Sequence, residues 1–291
     1  MISVIITAYK EPRTIGRAIG AVLRQISAGD EIIVAAPDDE TLSEAKKHGK
    51  GARNLKLLKD AGKGKPAALN LAVSKAKGDI LVLTDGDVYI GDGAIKPLLN
   101  FFRDEKIGAV SGNPASTNPK SDKYGFWAYM LTKVANDVRA DAARNHKKIS
   151  CSGYLFAIRR KLFPKLPEEL LSEDGYISEK VYDAGFLAGY SENSKVYVKY
   201  PDNFADWIKQ KKRSAGGYNQ IKKMIGRQAR SFGSESAGAF RFFKYISIPL
   251  ELIWLFELFI ARLYLWAAIF KDVNIWKKRR EELWLRVEST K

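Results

Sequence analysis

Apolar residues along the first third of the chain follow two alternating rhythms. Continuous β-rich runs occupy residues 3–9 (SVIITAY), 31–37 (EIIVAAP), 54–60 (NLKLLKD) and 79–85 (DILVLTD). Between them lie stretches with helical spacing. In residues 14–26, Ile15, Ala18, Ile19, Val22 and Leu23 share one face, and residues 40–49 and 65–78 each stop at a glycine. Strands of this kind alternating with helices predict a mostly parallel sheet covered by helices on both faces. In such sheets ligands bind beyond the carboxyl ends of the strands. Those ends carry Thr7-Ala8-Tyr9, Pro37-Asp38-Asp39, Asp60 and Thr84-Asp85-Gly86-Asp87.

The pattern changes after Asp202. Residues 207–230 hold eight basic residues and no acidic one, with Tyr218, Ile221, Met224 and Ile225 on one helical face. This predicts a basic amphipathic helix suited to a membrane surface. An aromatic-rich stretch follows at 240–270, and Ile246–Phe270 has the roughly 20 residues needed to cross a bilayer. Glu251, Glu257 and Arg262 interrupt it, each costing about 3 kcal/mol at a bilayer centre. A tilted span, an in-plane hairpin and a buried helix pair are all compatible with the pattern. Trp276 and Trp284 beside KKRR (277–280) suit an interfacial anchor on the cytoplasmic side.

Composition narrows the partners. The 291 residues include 49 Lys+Arg against 33 Asp+Glu, a net charge of +16, which calls for a polyanionic partner. A nucleic-acid-binding surface would interleave aromatics with the basic residues. Here the aromatics are concentrated in the apolar run instead, so no nucleic-acid partner is expected. Cys151 is the only cysteine, which excludes an internal disulfide. The start, MISVIITAYKEP, lacks the basic and long apolar regions of a signal peptide and reads as a first strand.

The two acids of ILVLTDGDVYIG (80–91) raise the question of chemistry, because carboxylates at the end of a buried strand need a positive partner. An EF-hand loop fails, since its fifth and sixth positions hold Tyr89 and Ile90. A plain turn satisfies the residues taken alone. A carboxylate pair holding Mg²⁺ or Mn²⁺ against a diphosphate fits the strand-end position. His48 and His146 have no partners at metal-ligand spacing.

The ordered set SVIITAYKEP, GKGKPAALNLAVSKAKGDILVLTDGD, SED and QKKRS resembles the family 2 inverting glycosyltransferases of GT-A fold, over about residues 1–215. The likeness is to the branch of cellulose-synthase-like and polyisoprenyl-linked sugar transferases. It implies an α/β, Rossmann-like catalytic domain at 1–203 and a basic amphipathic interface region carrying QxxRS at 204–239. Membrane-associated or transmembrane helices at 240–270 and a basic tail at 271–291 complete the chain. The resemblance assigns Asp85 and Asp87 to a divalent metal and Asp174 to the general base, with Glu173 supporting it. It places Thr7, Ala8, Tyr9, Glu11, Asp38, Asp60, Lys65, Asp85, Gln210 and Arg213 around the nucleotide sugar, and Gly153 on the acceptor side. Ser214 stands where the family's QxxRW motif has tryptophan.

The implied reaction moves one hexose from a donor such as GDP-mannose or UDP-glucose to a lipid-linked saccharide, with the active site on the cytoplasmic face of an anionic membrane. The alternative acceptor is a bare polyisoprenyl phosphate. A soluble nucleotidyltransferase would open with a glycine- and arginine-rich phosphate loop, and none follows Tyr9.

Overall fold

A computed structural model of the chain describes residues 1–52, 54–226, 239–271, 287 and 289–290. They fall into two compact units. One holds Met1–Pro114 and Arg139–Val198; the other holds Ala115–Val138 and the described part of Lys199–Thr290.

In the first unit, β1 (Ile2–Thr7), β2 (Glu31–Ala36), β3 (Leu55–Lys59) and β4 (Ile80–Asp85) alternate with α1 (Ile15–Leu23), α2 (Asp39–His48) and α3 (Lys65–Lys75). The four strands pair in parallel in the order β3-β2-β1-β4. Every residue of β1 and β2 is buried, as continuous apolar runs in the middle of a covered parallel sheet must be. Parallel pairing stops at Asp85, although strands and helices go on alternating. β5 (Tyr89–Ile90), α4 (Ile95–Asn100), β6 (Ile107–Ser116), β7 (Leu155–Arg159), α6 (Glu173–Asp183) and β8 (Leu187–Val198) follow. β7 runs antiparallel to both β4 and β6, and the eight strands take the order β3-β2-β1-β4-β7-β6-β8-β5. Ile5, Ile33, Leu81, Leu83, Phe156 and Ile158 of the sheet pack with Leu69 of α3 and Ile177 and Val181 of α6.

The second unit contains the start of α5 (Lys123–Arg144), α7 (Phe204–Ile225) and α8 (Pro249–Phe270). Its core joins Phe126, Trp127, Met130 and Val134 of α5 to Trp207 of α7 and to Leu255, Leu258, Ala261, Leu265 and Ile269 of α8. α7 realises the expected basic helix up to Gly226, whose left-handed φ of 75° ends it. Ile221 is buried while Lys222, Lys223 and Met224 are exposed, so only part of the expected apolar face turns inward. Arg227 and Arg230, Trp276, Trp284 and KKRR (277–280) lie outside the described residues.

The acids that interrupt the apolar run have partners. Glu251 is buried at the start of α8, where its carboxylate accepts from the backbone N–H of Ser247 (2.6 Å) and pairs with Lys120 Nζ (2.7 Å). Glu257 pairs with Lys123 at 3.4 Å. α8 is the one described helix long and apolar enough to cross a membrane, with a mean hydropathy of 1.8 over Pro249–Ile269 and only 28% of its most apolar stretch buried.

A polar network locks the amino edge of the sheet. Glu31 is buried, and its carboxylate accepts from Ser3 Oγ and Lys77 N (both 2.6 Å) and from Lys56 Nζ (2.5 Å). Burial pushes this carboxyl up, but the bonds from Lys56, Ser3 and Lys77 outweigh it and hold it below its ordinary value of 4.5. Glu31→Gln is expected to lower stability by about 2 kcal/mol at neutral pH, because it leaves buried donors poorly matched. A group held below its ordinary pKa gives its full stabilisation above that value and loses it as the pH falls through the folded pKa. The gap between the two proteins in thermal unfolding should therefore narrow below pH 4.5.

Candidate functional site

The parallel register brings the acids of the strand ends together. Thr7 lies opposite Asp85, and its hydroxyl donates to Asp85 Oδ1 at 3.2 Å. Thr84 turns the other way and donates to the carbonyl of Tyr154 at 2.8 Å, which fixes β4 against the segment leading into β7. Gly86 sits directly under the β1–α1 loop and donates its N–H to the Thr7 carbonyl at 2.9 Å. A Cβ at Gly86 would come within 2.6 Å of Glu11 Oε2 and 2.8 Å of Ala8 Cβ, so the position between the two aspartates must be glycine.

Lys65 is the positive partner that the strand-end acids require. Its Nζ lies 2.6 Å from Asp85 Oδ1 and 2.6 Å from Glu173 Oε1. Lys65 is the first residue of α3, a helix end that disfavours a cation, so the two carboxylates determine its position. Burial opposes the ammonium charge, but Asp85 and Glu173 outweigh it and hold Lys65 protonated well above its ordinary value. Burial pushes Asp85 upward; Lys65 counters this, while the charges of Asp87 and Glu173 add to it. Two acids thus share one ammonium, and the charge of Asp87 acts on Asp85 beside them.

That excess of negative charge is what a hard divalent cation would meet. Among the described residues no group of three or more His, Cys, Asp or Glu is placed to enclose a metal. Mg²⁺ and Mn²⁺ need only one or two carboxylates when phosphate oxygens complete their shell, and Asp85 with Asp87 fits that requirement.

Asp174 follows Glu173 in the first turn of α6. A solvated helix start is the ordinary reading of such acids, yet Glu173 is buried. Asp174 Oδ1 accepts from Ser172 Oγ (2.7 Å) and Gly175 N (2.8 Å), and Oδ2 accepts from Gly153 N (3.0 Å). A carboxylate offers about four acceptor directions, so three are filled and one on Oδ2 remains for a hydroxyl. Gly153 is close enough that a Cβ there would touch Asp174 Oδ2 at 3.2 Å.

On the nucleotide side, Ala8 N donates to Ala35 O at 3.0 Å, extending β1 toward the edge, and Tyr9 is 39% exposed beyond it. Lys10 has a left-handed φ of 54°, a strained backbone for this residue type, and its N–H donates to Asp38 Oδ2 at 2.8 Å. Glu11 is buried and anchors the loop through its N–H on Thr41 Oγ1 at 2.8 Å. Asp38 also caps α2 by accepting from Thr41 N at 2.9 Å. Burial raises Asp38, but Thr41 and Lys10 prevail and hold it below its ordinary range. Asp60 is in the opposite state. Oδ1 accepts from Gly62 N at 2.7 Å, while Oδ2 is buried with no hydrogen-bond partner among the described residues. Burial and the nearby Asp38 push its pKa up despite the Gly62 bond.

Gln210 and Arg213 lie on α7 in the second unit. Gln210 is buried, and Ser214 folds its hydroxyl back onto the Gln210 carbonyl at 3.2 Å. Arg159 spends its guanidinium on the carbonyls of Ile107, Phe102 and Asp104. The sequence reading missed the Lys65 bridge and the Ser172 contact. The bridge joins residues 20 and 108 positions apart in sequence, and only the serine immediately before Glu173-Asp174 carried a local signal.

Comparison with known proteins gives concordant results. The Glycosyl transferase family 2 model matches residues 3–166. The chain is 26% identical over 240 residues to the probable glycosyltransferase YdaM of Bacillus subtilis (strain 168), covering 76% of this chain and 56% of that protein. It is 26% identical over 265 residues to the O-antigen chain rhamnosyltransferase RfbN of Salmonella typhimurium, covering 84% and 79%. The chain thus spans little more than half the length of some curated relatives, YdaM among them. The mannosyltransferase PcManGT from Pyrobaculum calidifontis, solved in complex with GDP-Man and Mn²⁺, shares the fold with a TM-score of 0.61 at 18% identity, over 97% of this chain and 84% of that one.

Removing the bridging ammonium tests the electrostatics of the site. Lys65→Met should lower stability by about 3 kcal/mol, the scale of leaving buried charges uncompensated. Added Mn²⁺ should recover more thermal stability in this variant than in the parent, since it would meet the orphaned acids. An unchanged unfolding temperature in Lys65→Met contradicts the bridge.

Proposed function

The chain belongs to glycosyl transferase family 2, and from that premise we propose that it is a membrane-associated, inverting, metal-dependent hexosyltransferase. It takes mannose or glucose from GDP-mannose or UDP-glucose and adds it to a lipid-linked saccharide. The observation that carries this reading is the chain of contacts Asp85–Lys65–Glu173, with Asp174 adjacent and held by Ser172, Gly153 and Gly175. It joins a donor-side acid to Glu173, the neighbour of the proposed base, through one ammonium.

In this scheme Asp85 and Asp87 hold Mg²⁺ or Mn²⁺, which supplies positive charge to the leaving diphosphate as a Lewis acid. Asp60 Oδ2 offers its free acceptor to a donor group of the nucleotide, and Thr7, Ala8, Tyr9, Glu11 and Asp38 shape the edge around it. Asp174 takes the proton of the acceptor hydroxyl through the open direction on Oδ2 while that oxygen attacks the anomeric carbon opposite the diphosphate. Ser172, Gly153 and Gly175 keep the carboxylate from rotating, and Glu173 keeps Lys65 in place. Gln210 and Arg213 serve the diphosphate or the acceptor, the guanidinium being a planar fork for phosphate oxygens. The catalytic domain occupies 1–203, the interface region 204–239, the membrane-associated part 240–270 and the basic tail 271–291.

The apolar face of α8 supports the membrane assignment. Leu252, Ile253, Phe256, Ile260, Leu263 and Tyr264 are each 48–66% exposed along one side of the helix. Contiguous exposed apolar surface of this kind marks an interaction site. The active site is placed on the cytoplasmic face, the side that retains basic flanks.

The purified protein, incubated with labelled nucleotide sugars and both classes of lipid acceptor, should label the lipid-linked saccharide. Label confined to bare polyisoprenyl phosphate moves the acceptor to that class, and no transfer to either overturns the reading. Asp174→Asn should lower turnover by at least about 100-fold, the contribution of a positioned base, while circular dichroism shows the variant still folded.

Flotation with anionic phospholipid vesicles tests the membrane assignment. The parent should float with the vesicles, and a Phe256→Asp, Ile260→Asp double variant should stay in the soluble fraction.

A further inference from the structure

The outer flank of α1 carries a cleft of about 730 Å³ that none of the roles above uses. Arg13, at the entry to α1, and Arg17, Gly20 and Arg24 line one side, and Tyr89 of β5 and Tyr197 of β8 line the other. These positions recur at helical spacing, with Arg17 and Gly20 within α1 and Arg13 and Arg24 just beyond its two ends. The three arginines are exposed.

The cleft is organised before any ligand arrives. Tyr89 and Tyr197 stack with centroids 4.9 Å apart and an interplanar angle of 19°. The Arg17 guanidinium lies 3.5 Å from the Tyr89 ring centroid, which fixes its plane. Neither Arg13 nor Arg17 has an acidic partner among the described residues. Arg24 has only Asp92, at 3.4 Å in an exposed pair of little energetic weight. Three guanidinium groups against one carboxylate leave the cleft with two uncompensated positive charges.

We propose that this cleft is a second anion site, separate from the acids at the strand ends, that binds a ligand carrying phosphate groups. A single carboxylate would leave the row positively charged. A phosphate carries up to two charges and three oxygens, and a planar guanidinium engages it with two parallel hydrogen bonds. The phosphate comes either from a soluble oligophosphate or from a lipid headgroup, and the row of three forks favours at least two phosphate groups on one ligand or on adjacent headgroups. The site needs no divalent metal, so it stands independently of the transferase reading.

The test uses the full chain in the presence of EDTA. Tripolyphosphate binding is measured by calorimetry, and binding to phosphatidylglycerol vesicles by sedimentation at physiological ionic strength. An Arg13→Gln, Arg17→Gln double variant is compared with Lys106→Gln, Lys165→Gln, which removes the same charge from exposed lysines elsewhere on the first unit. The expected result is a loss of about tenfold or more in affinity for the arginine pair only, the scale of lost charge-assisted bonds. Selective loss in the calorimetric arm identifies a soluble phosphate, and selective loss in the vesicle arm a headgroup. Equal loss in both double variants, or none in either arm, overturns the proposal. Arg17→Lys keeps the charge and loses the fork, and should fall between parent and double variant. Circular dichroism of each variant separates lost binding from lost folding.

Discussion

A single ammonium group decides how the carboxyl edge of the sheet is arranged. Parallel pairing places Thr7 and Asp85 side by side, and the antiparallel second half of the sheet presents Gly153 next to Asp174. Either element alone would leave buried carboxylates facing one another. Lys65 at the start of α3 connects them, 2.6 Å from an acid on each side. The placement works against the helix dipole, and its stability comes from the carboxylates. Two acids outnumber the one ammonium between them, and the charge of Asp87 adds to the pressure on Asp85. The bridge ties β4 and α6 to one flexible side chain.

The second unit resolves a similar conflict by similar means. α8 is apolar enough for a bilayer, yet it begins with a buried glutamate. Lys120 neutralises Glu251, and the same carboxylate caps the first turn of the helix that contains it. The second acid, Glu257, finds Lys123. The inner face of α8 packs on an aromatic core around Trp127 and Trp207, which stack edge to face at 5.4 Å. Among the described residues the outer face is left apolar and exposed.

Much of this was legible from sequence, for identifiable reasons. The parallel half of the sheet repeats a local signal, an apolar run followed by a helical period, and those elements fall within two or three residues of the reading. The strand-end acids follow from that placement. The antiparallel half was not legible, because α5 and α6 still separate β6, β7 and β8 while the pairing turns antiparallel, and nothing local in the sequence marks that reversal. The roles of Asp38 and Asp60 could not be separated by type. Both are aspartates at strand ends, yet one caps α2 while the other keeps a buried, unused oxygen. Only the surrounding donors distinguish them. Gly86 is a further case: a turn residue by sequence, it is required by the 2.8 Å approach that a Cβ there would make to Ala8 Cβ.

Net charge is the feature whose meaning changes most once positions are known. An excess of +16 suggests a diffuse attraction to anything acidic. Much of the lysine is in fact committed. Lys56, Lys65, Lys120 and Lys123 each hold a specific acid, and two of those acids are buried almost completely. Arg159 is spent on three carbonyls. The uncommitted charge is therefore not spread evenly, and Arg13 and Arg17 stand out because Tyr89 holds Arg17 rigid while no acid discharges it. Stacking orders the guanidinium without consuming its hydrogen-bond donors, whereas pairing with a carboxylate would do both. An arginine ordered by an aromatic ring keeps its whole donor fork for an external anion, which distinguishes a binding cleft from a merely basic surface.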